Sequence, residues 1–288
     1  MVRDGPSTSS VPPHHERGNL HAAHPEERLR SRAAASRSRV SKDLPTRRDE
    51  EWRYADFKAL EALAPERFGE WKDVALAAGE TRRKCMVLGG DEPELHRIRL
   101  TVGEGARAEL FVVNCGGDYT RVEVQVRLAR GAHFQFGGVT IGGGEATREF
   151  VTRIDHAEPE ATSEQVVRSV HWGKAMGNFL GRIDVARDAQ KTDAAQDFKG
   201  LLLERGASAN TKPELEIYAD DVKCAHGAAI GQMDEAARYY MAARGIPPEV
   251  AKKLLVRAFI ADAFVALEDE GERETLTDAA LAALGDVA

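Results

Sequence analysis

The chain has 288 residues, enough for one large domain or two small ones, and 42% of them are hydrophobic and 30% charged. That balance suits a soluble globular protein and excludes a collagen-like, disulfide-scaffold or wholly disordered chain. The net charge of −7 is unevenly spread: residues 1–48 hold 10 basic and 5 acidic residues, leaving 30 basic and 42 acidic for an acidic body that argues against nucleic acid as a partner.

Residues 1–48 are rich in Ser, Pro, His and Arg and almost without large apolar residues, so they are expected to be a disordered basic tail. His14, His15, His21 and His24 read there as solvated histidines, with no thiol nearby to complete a metal site. Residues 49–83 form the next unit. Trp52, Phe57, Leu60, Leu63 and Phe68 recur at three- to five-residue steps, which predicts a short helical N-terminal segment broken near Pro65.

Residues 84–231 change texture to short alternating runs, such as His96 to Val102, Val122 to Leu128 and Leu215 to Tyr218. A period of two residues belongs to half-buried strands. Gly105-Ala106, Gly131-Ala132 and Gly206-Ala207 fall near a 25-residue grid, on which Gly181 also lies. Such a grid predicts a β-solenoid, with an ordinary β-sandwich as the open alternative. Residues 232–288 return to helical spacing: Met233 to Ala243 reads as one helix closed by Gly245, and Pro248 opens a second expected to run to about Glu268. The last twenty residues are left as a further helix or a frayed end.

Catalytic vocabulary is sparse. Gly173-Lys174 lacks the upstream Gly and the following Ser or Thr of a phosphate loop, so no nucleotide is expected to bind this chain. The glycines at 137, 138 and 142 to 144 read as turn residues between strands, and no HExxH, GxSxG or CxxC is present. Cys85, Cys115 and Cys224 are odd in number and far apart, which predicts no disulfide framework and a reducing, cytoplasmic home. No apolar run approaches a membrane span, so no membrane partner is expected.

What remains is Lys223-Cys224-Ala225-His226-Gly227. On a strand, Cys224 and His226 point to one face, where a thiolate and an imidazole make half of a typical iron or zinc site. Asp220 and Asp221 precede them, and Lys223 is expected to lower the thiol's pKa. The competing reading is a buried cysteine beside a hydrogen-bonded histidine.

Four blocks carry a resemblance. They are Asp155-His156 with Thr162 to Gln165; Gly173-Lys174-Ala175 with Gly177, Phe179 and Gly181; Asp188 to Ala194; and Thr211 to Ala228. With Leu44 to Tyr54 upstream, the sequence resembles the SufB and SufD family of iron–sulfur cluster assembly proteins, on its SufD side and in a short form. The resemblance implies a right-handed parallel β-helix flanked by short N-terminal and C-terminal α-helical segments. It also implies a SufB-like partner subunit along the β-helix and a SufC-like ATPase of the ABC class docked on the C-terminal helices. His226, with Cys224 beside it, then becomes a candidate ligand for transient iron or a nascent Fe–S cluster at the SufB seam. Tyr239, Tyr240, Arg244 and Gly245 become the candidate ATPase-docking segment. A scaffold and not an enzyme is expected, with a homodimer that holds metal unaided or a metal-free solenoid module as alternatives. A flavin in the assembled complex is left open. Family members are commonly longer, so either the N-terminal cap is trimmed or the chain is a shortened paralogue.

Overall fold

A computed structural model describes residues 45–285. The expected tail, with its four histidines, lies almost wholly outside the described residues. The first elements are a 3-10 turn at Glu50–Trp52, helix α1 at Phe57–Leu60 and a second 3-10 turn at Pro65–Phe68. Asp56 starts α1 by accepting hydrogen bonds from the Lys58 and Ala59 amides, donors that a helix's first turn leaves orphaned. Trp52, Ala55 and Leu60 bury against Leu95 and Tyr119, which clamps this segment to the sheet beneath.

Twelve strands follow: β1 Lys72–Leu76, β2 Thr81–Leu88, β3 Glu94–Val102, β4 Arg107–Asn114, β5 Tyr119–Leu128, β6 His133–Gly142, β7 Thr147–His156, β8 Thr162–His171, β9 Met176–Val185, β10 Asp193–Leu202, β11 Ser208–Ile217 and β12 Lys223–Gln232. The odd strands form one six-stranded parallel sheet in the order β1-β3-β5-β7-β9-β11, and the even strands form the other, β12-β10-β8-β6-β4-β2. Each coil therefore lends one strand to each sheet, and six coils make a parallel β-solenoid. The two facing sheets look like the sandwich alternative in cross-section. Their strictly alternating, all-parallel connectivity excludes it.

The expected helical segment of 49–83 is corrected at its C-terminal end, because the first coil begins at Lys72. β1 has five residues and is largely exposed, too short to announce itself by alternation. The 25-residue grid is corrected too. Register carries Ile98 onto Val124, 26 residues on, then onto Thr152, Gly181 and Pro213 at steps of 28, 29 and 32. Gly105 and Gly131 do share one corner in successive coils. Both adopt positive φ (63° and 61°), open to glycine without a Cβ penalty. Gly206 sits at the opposite corner, and Gly181 lies inside β9, where a Cβ would strike Gln196 Oε1 at 2.2 Å. Gly137 and Gly138 are likewise strand residues of β6 and not turns. A Cβ on Gly137 would lie 2.3 Å from the Ala263 carbonyl, so its absence lets the helical segment lie close on the sheet.

The solenoid interior is apolar, with Phe134 stacked on Phe136 and Phe136 edge-on to Phe150 at 5.3 Å. Outside the odd sheet runs a polar ladder, buried at Arg121, Glu149 and Asn178 and half-buried at Asn210. Arg121, Glu149, Asn178 and Asn210 occupy matching positions on β5, β7, β9 and β11. Glu149 accepts from Arg121 (3.0 Å), Tyr119 (2.6 Å) and Asn178 (2.8 Å), and Trp52 covers Arg121 with its ring 3.8 Å from the guanidinium carbon.

After β12 come α2 at Glu235–Ala243, α3 at Pro248–Ala261 and α4 at Glu270–Ala282, with a 3-10 turn at Asp262–Phe264 after α3; α2 packs on α3, and α3, the turn and α4 lie outside the even sheet. Val256, Ile260, Phe264, Leu276 and Ala280 bury against Phe111, Val113, Val139, Ile141 and Val170. The second C-terminal helix thus stops short of Glu268, and α4 resolves the open reading of the last twenty residues in favour of a helix.

Candidate functional site

Cys224 and His226 sit on β12, the last rung of the even sheet. Among the described residues, β12 pairs only with β10 and β11 only with β9, so these two strands present unpaired edges at the C-terminal end of the solenoid. Cys224 stands over Ala194 and His226 over Gln196, both buried residues of the preceding coil. The two donors therefore share the inward face, as the two-residue spacing predicts. Among the described residues, no further coil follows β12 in the solenoid. Cys224 is half-buried, His226 is exposed, and Ile217, Tyr218 and Ile230 around the same end are also exposed.

Burial pushes the Cys224 thiol above its usual pKa, and the charge of Asp193 adds to the effect. The expectation that Lys223 lowers it is corrected. Adjacent strand residues point to opposite faces, so Lys223 projects away from the thiol. Asp220 and Asp221 belong to the corner before β12, where the Asp221 amide donates to Gln190 Oε1 at 2.8 Å and its carbonyl accepts from the Lys191 amide. Among the described residues, no group of three or more His, Cys, Asp or Glu side chains is arranged to hold a metal ion. Among the described residues, Cys224 and His226 are the two such donors that the inward face of β12 presents at this end.

The other candidate residues gather on α2 and the turn after it. Asp234 caps α2 by accepting from the Ala236 and Ala237 amides. Tyr239 and Tyr240 are 78% and 57% exposed, so both rings face outward from the helix. The Arg244 guanidinium stacks over the Tyr240 ring at 4.5 Å. Gly245, at φ 81°, terminates the helix, with its amide bonded to the Ala242 carbonyl and that of Ile246 to Met241. Val250 and Leu254 on α3 are exposed as well, so α2 and α3 together offer an aromatic and aliphatic surface. No described helix is long and apolar enough to cross a membrane.

Two further features carry no role assigned from the sequence, although His156 and Ser163 lie in one of the resemblance blocks. His156 and His171 lie fully buried, His156 Nε2 2.9 Å from Ser163 Oγ and His171 Nε2 3.2 Å from Thr140 Oγ1. Burial depresses their pKa values to about 4 and about 3 respectively, with the Arg148 charge adding to the drop at His171. Arg168 is also buried, and it joins carboxylates 65 residues apart in sequence, Asp197 and Asp262.

A family model described as SUF system FeS cluster assembly, SufBD core domain, matches residues 86–259. The chain is 39% identical to the iron–sulfur cluster assembly protein SufD of Escherichia coli over 123 residues, 43% of this chain and 29% of that protein. It is 33% identical to SufD of Bacillus subtilis over 138 residues, covering 48% and 32%. To an iron–sulfur cluster assembly SufBD family protein of Synechocystis it is 32% identical over 171 residues, covering 59% and 38%. The matched segments thus span about a third of the length of these relatives.

Proposed function

The chain belongs to the SufBD family of SUF-system iron–sulfur cluster assembly proteins, and we propose that it serves there as a SufD-like scaffold subunit that presents Cys224 and His226 to a partner. One observation carries the reading: a thiol and an imidazole share the inward face of the last strand, at a solenoid end whose two edges are unpaired among the described residues. A SufB-like subunit with a matching end can extend both sheets by main-chain hydrogen bonds, as in strand addition elsewhere. It would cover Ile217 and Ile230 and add further ligands beside Cys224 and His226. Iron or a nascent cluster is the cargo held at that seam, bound by thiolate and imidazole as soft and borderline ligands.

The chain acts by presentation and not by catalysis, in the cytoplasm. The exposed Tyr239, Tyr240, Val250 and Leu254 surface suits docking of a SufC-like ATPase, since aromatic side chains with an adjacent Arg are favoured anchors. A homodimeric scaffold is the second reading, because the same open end admits a second copy of this chain.

The test is co-expression with the SufB-like and SufC-like proteins of the same organism, then gel filtration with mass and iron analysis. A co-eluting complex whose iron disappears with His226→Ala, the fold and assembly remaining intact, supports the proposal. Elution as a lone dimer overturns the partner assignment, and iron in that dimer moves the homodimeric reading to the front.

A further inference from the structure

Asp197 lies on β10, on the outer face of the even sheet, directly across from Gly227 of β12. Its two carboxylate oxygens face different neighbours. Oδ2 accepts from Arg168 Nη2 at 2.5 Å and lies 3.6 Å from Lys199 Nζ. Oδ1 lies over Gly227, where a Cβ would meet it at 2.9 Å. Arg168, on β8, has a side chain only 2% exposed and is shared with the helical segment. Its Nε and Nη2 donate to Asp262 Oδ2 at 2.9 and 2.5 Å, and Nη1 donates to the Val167 and Asp197 carbonyls. Lys199 Nζ stands 3.8 Å from Asp262 and completes the cluster.

Asp262 opens the 3-10 turn at the end of α3, so it moves with the C-terminal helices. Gly227 is the residue next to His226, so it moves with the ligand strand. One buried guanidinium thus holds a carboxylate from each side. A buried cation gives up a partner only at high cost, so displacement of Asp262 is felt at Asp197. At Gly227 no side chain stands between that carboxylate and the β12 backbone.

We propose that Arg168 and Asp197 are positioning residues that couple the seating of the C-terminal helices to the order of β12, the strand bearing Cys224 and His226. Its relevance to cluster assembly rests on the function proposed above; the coupling itself needs neither metal nor partner. Such coupling is reciprocal by thermodynamic necessity, so a push on β12 has to reach the helices.

Amide hydrogen exchange on the full chain tests both directions. Asp262→Asn removes one charge of the cluster and is expected to speed exchange across residues 223–232 at least about fivefold, the lower end of measured site-to-site coupling, leaving residues 94–102 of the odd sheet unchanged. Leu276→Ala loosens the helices at the other end of the same face, where α4 meets β2 and β4, and is expected to leave 223–232 unchanged. Gly227→Ala drives a methyl against Asp197 and is expected to speed exchange at residues 262–264. The coupling is overturned if Asp262→Asn leaves β12 unmoved, if Leu276→Ala moves it equally, or if Gly227→Ala leaves the turn at 262–264 unchanged. Should Asp262→Asn fail to fold, Gly227→Ala decides alone. Iron in the co-expressed complex is scored separately, so absence of iron with coupling intact counts against the cluster reading only.

Discussion

Mild acid is expected to destabilise this fold through His156 and His171. Both rings are buried and neutral, with folded pKa values of about 4 and about 3 against an ordinary 6.5. Below pH 6.5 the unfolded chain takes up a proton at each ring while the folded chain does not. Stability is therefore complete above that pH and falls as the pH drops towards the folded values. At pH 5 the difference is about 1.5 pH units, or about 2 kcal/mol per ring and about 4 kcal/mol for the pair. A domain has about 5–15 kcal/mol to lose, so this is a large share. With a urea slope near 3 kcal/mol/M, the unfolding midpoint should fall by about 1 M between pH 7 and pH 5. Circular dichroism in urea reads this directly. His133, whose pKa burial also lowers, adds in the same direction. Glu109, held below the carboxylate range by Arg83 and Arg107 despite burial, acts only at lower pH. His156→Asn and His171→Asn should each remove about half of the pH 7 to 5 decline, whatever they do to stability at pH 7. An undiminished decline in the double variant would refute the reasoning.

Two further outcomes follow from the geometry. Glu149→Ala strips Arg121, Tyr119 and Asn178 of their shared acceptor and leaves a buried guanidinium short of charge, costing about 3–5 kcal/mol. Calorimetry should show the melting temperature fall by roughly 10 °C, and a change below about 2 °C would mean that Glu123 alone compensates Arg121. Tyr239→Ala with Tyr240→Ala should leave the melting temperature unchanged, since both rings are exposed, while abolishing co-elution of the ATPase in gel filtration. Retained co-elution would move the docking surface elsewhere.

Much of this was legible in the residues. Period-two runs marked the strands, the Pro and Gly punctuation around 245–248 marked the C-terminal helices, and the spacing of Cys224 and His226 placed both on one face. These are properties of a few neighbouring residues, and the backbone's own periodicity decides them. The resemblance then tied the Lys223 to Gly227 block to a cluster-assembly family.

Other features depended on residues 26 to 32 positions away, where one coil stacks on the next. That stacking decided that Gly105 and Gly131 are corners while Gly181 and Gly137 are strand positions. It also decided that the solenoid starts at Lys72, where a five-residue strand persists because β3 supplies its hydrogen bonds. Lys223 had looked like a partner for the thiol because it is adjacent in sequence, but adjacency along a strand means opposite faces, and the Cys224 environment is set instead by burial and Asp193 on the coil below. Arg168 shows the same limit most clearly. Nothing local distinguishes it from the other arginines of the chain, and only folding brings Asp197 and Asp262 to its guanidinium, because a buried charge takes its partners from whatever elements the tertiary structure packs around it.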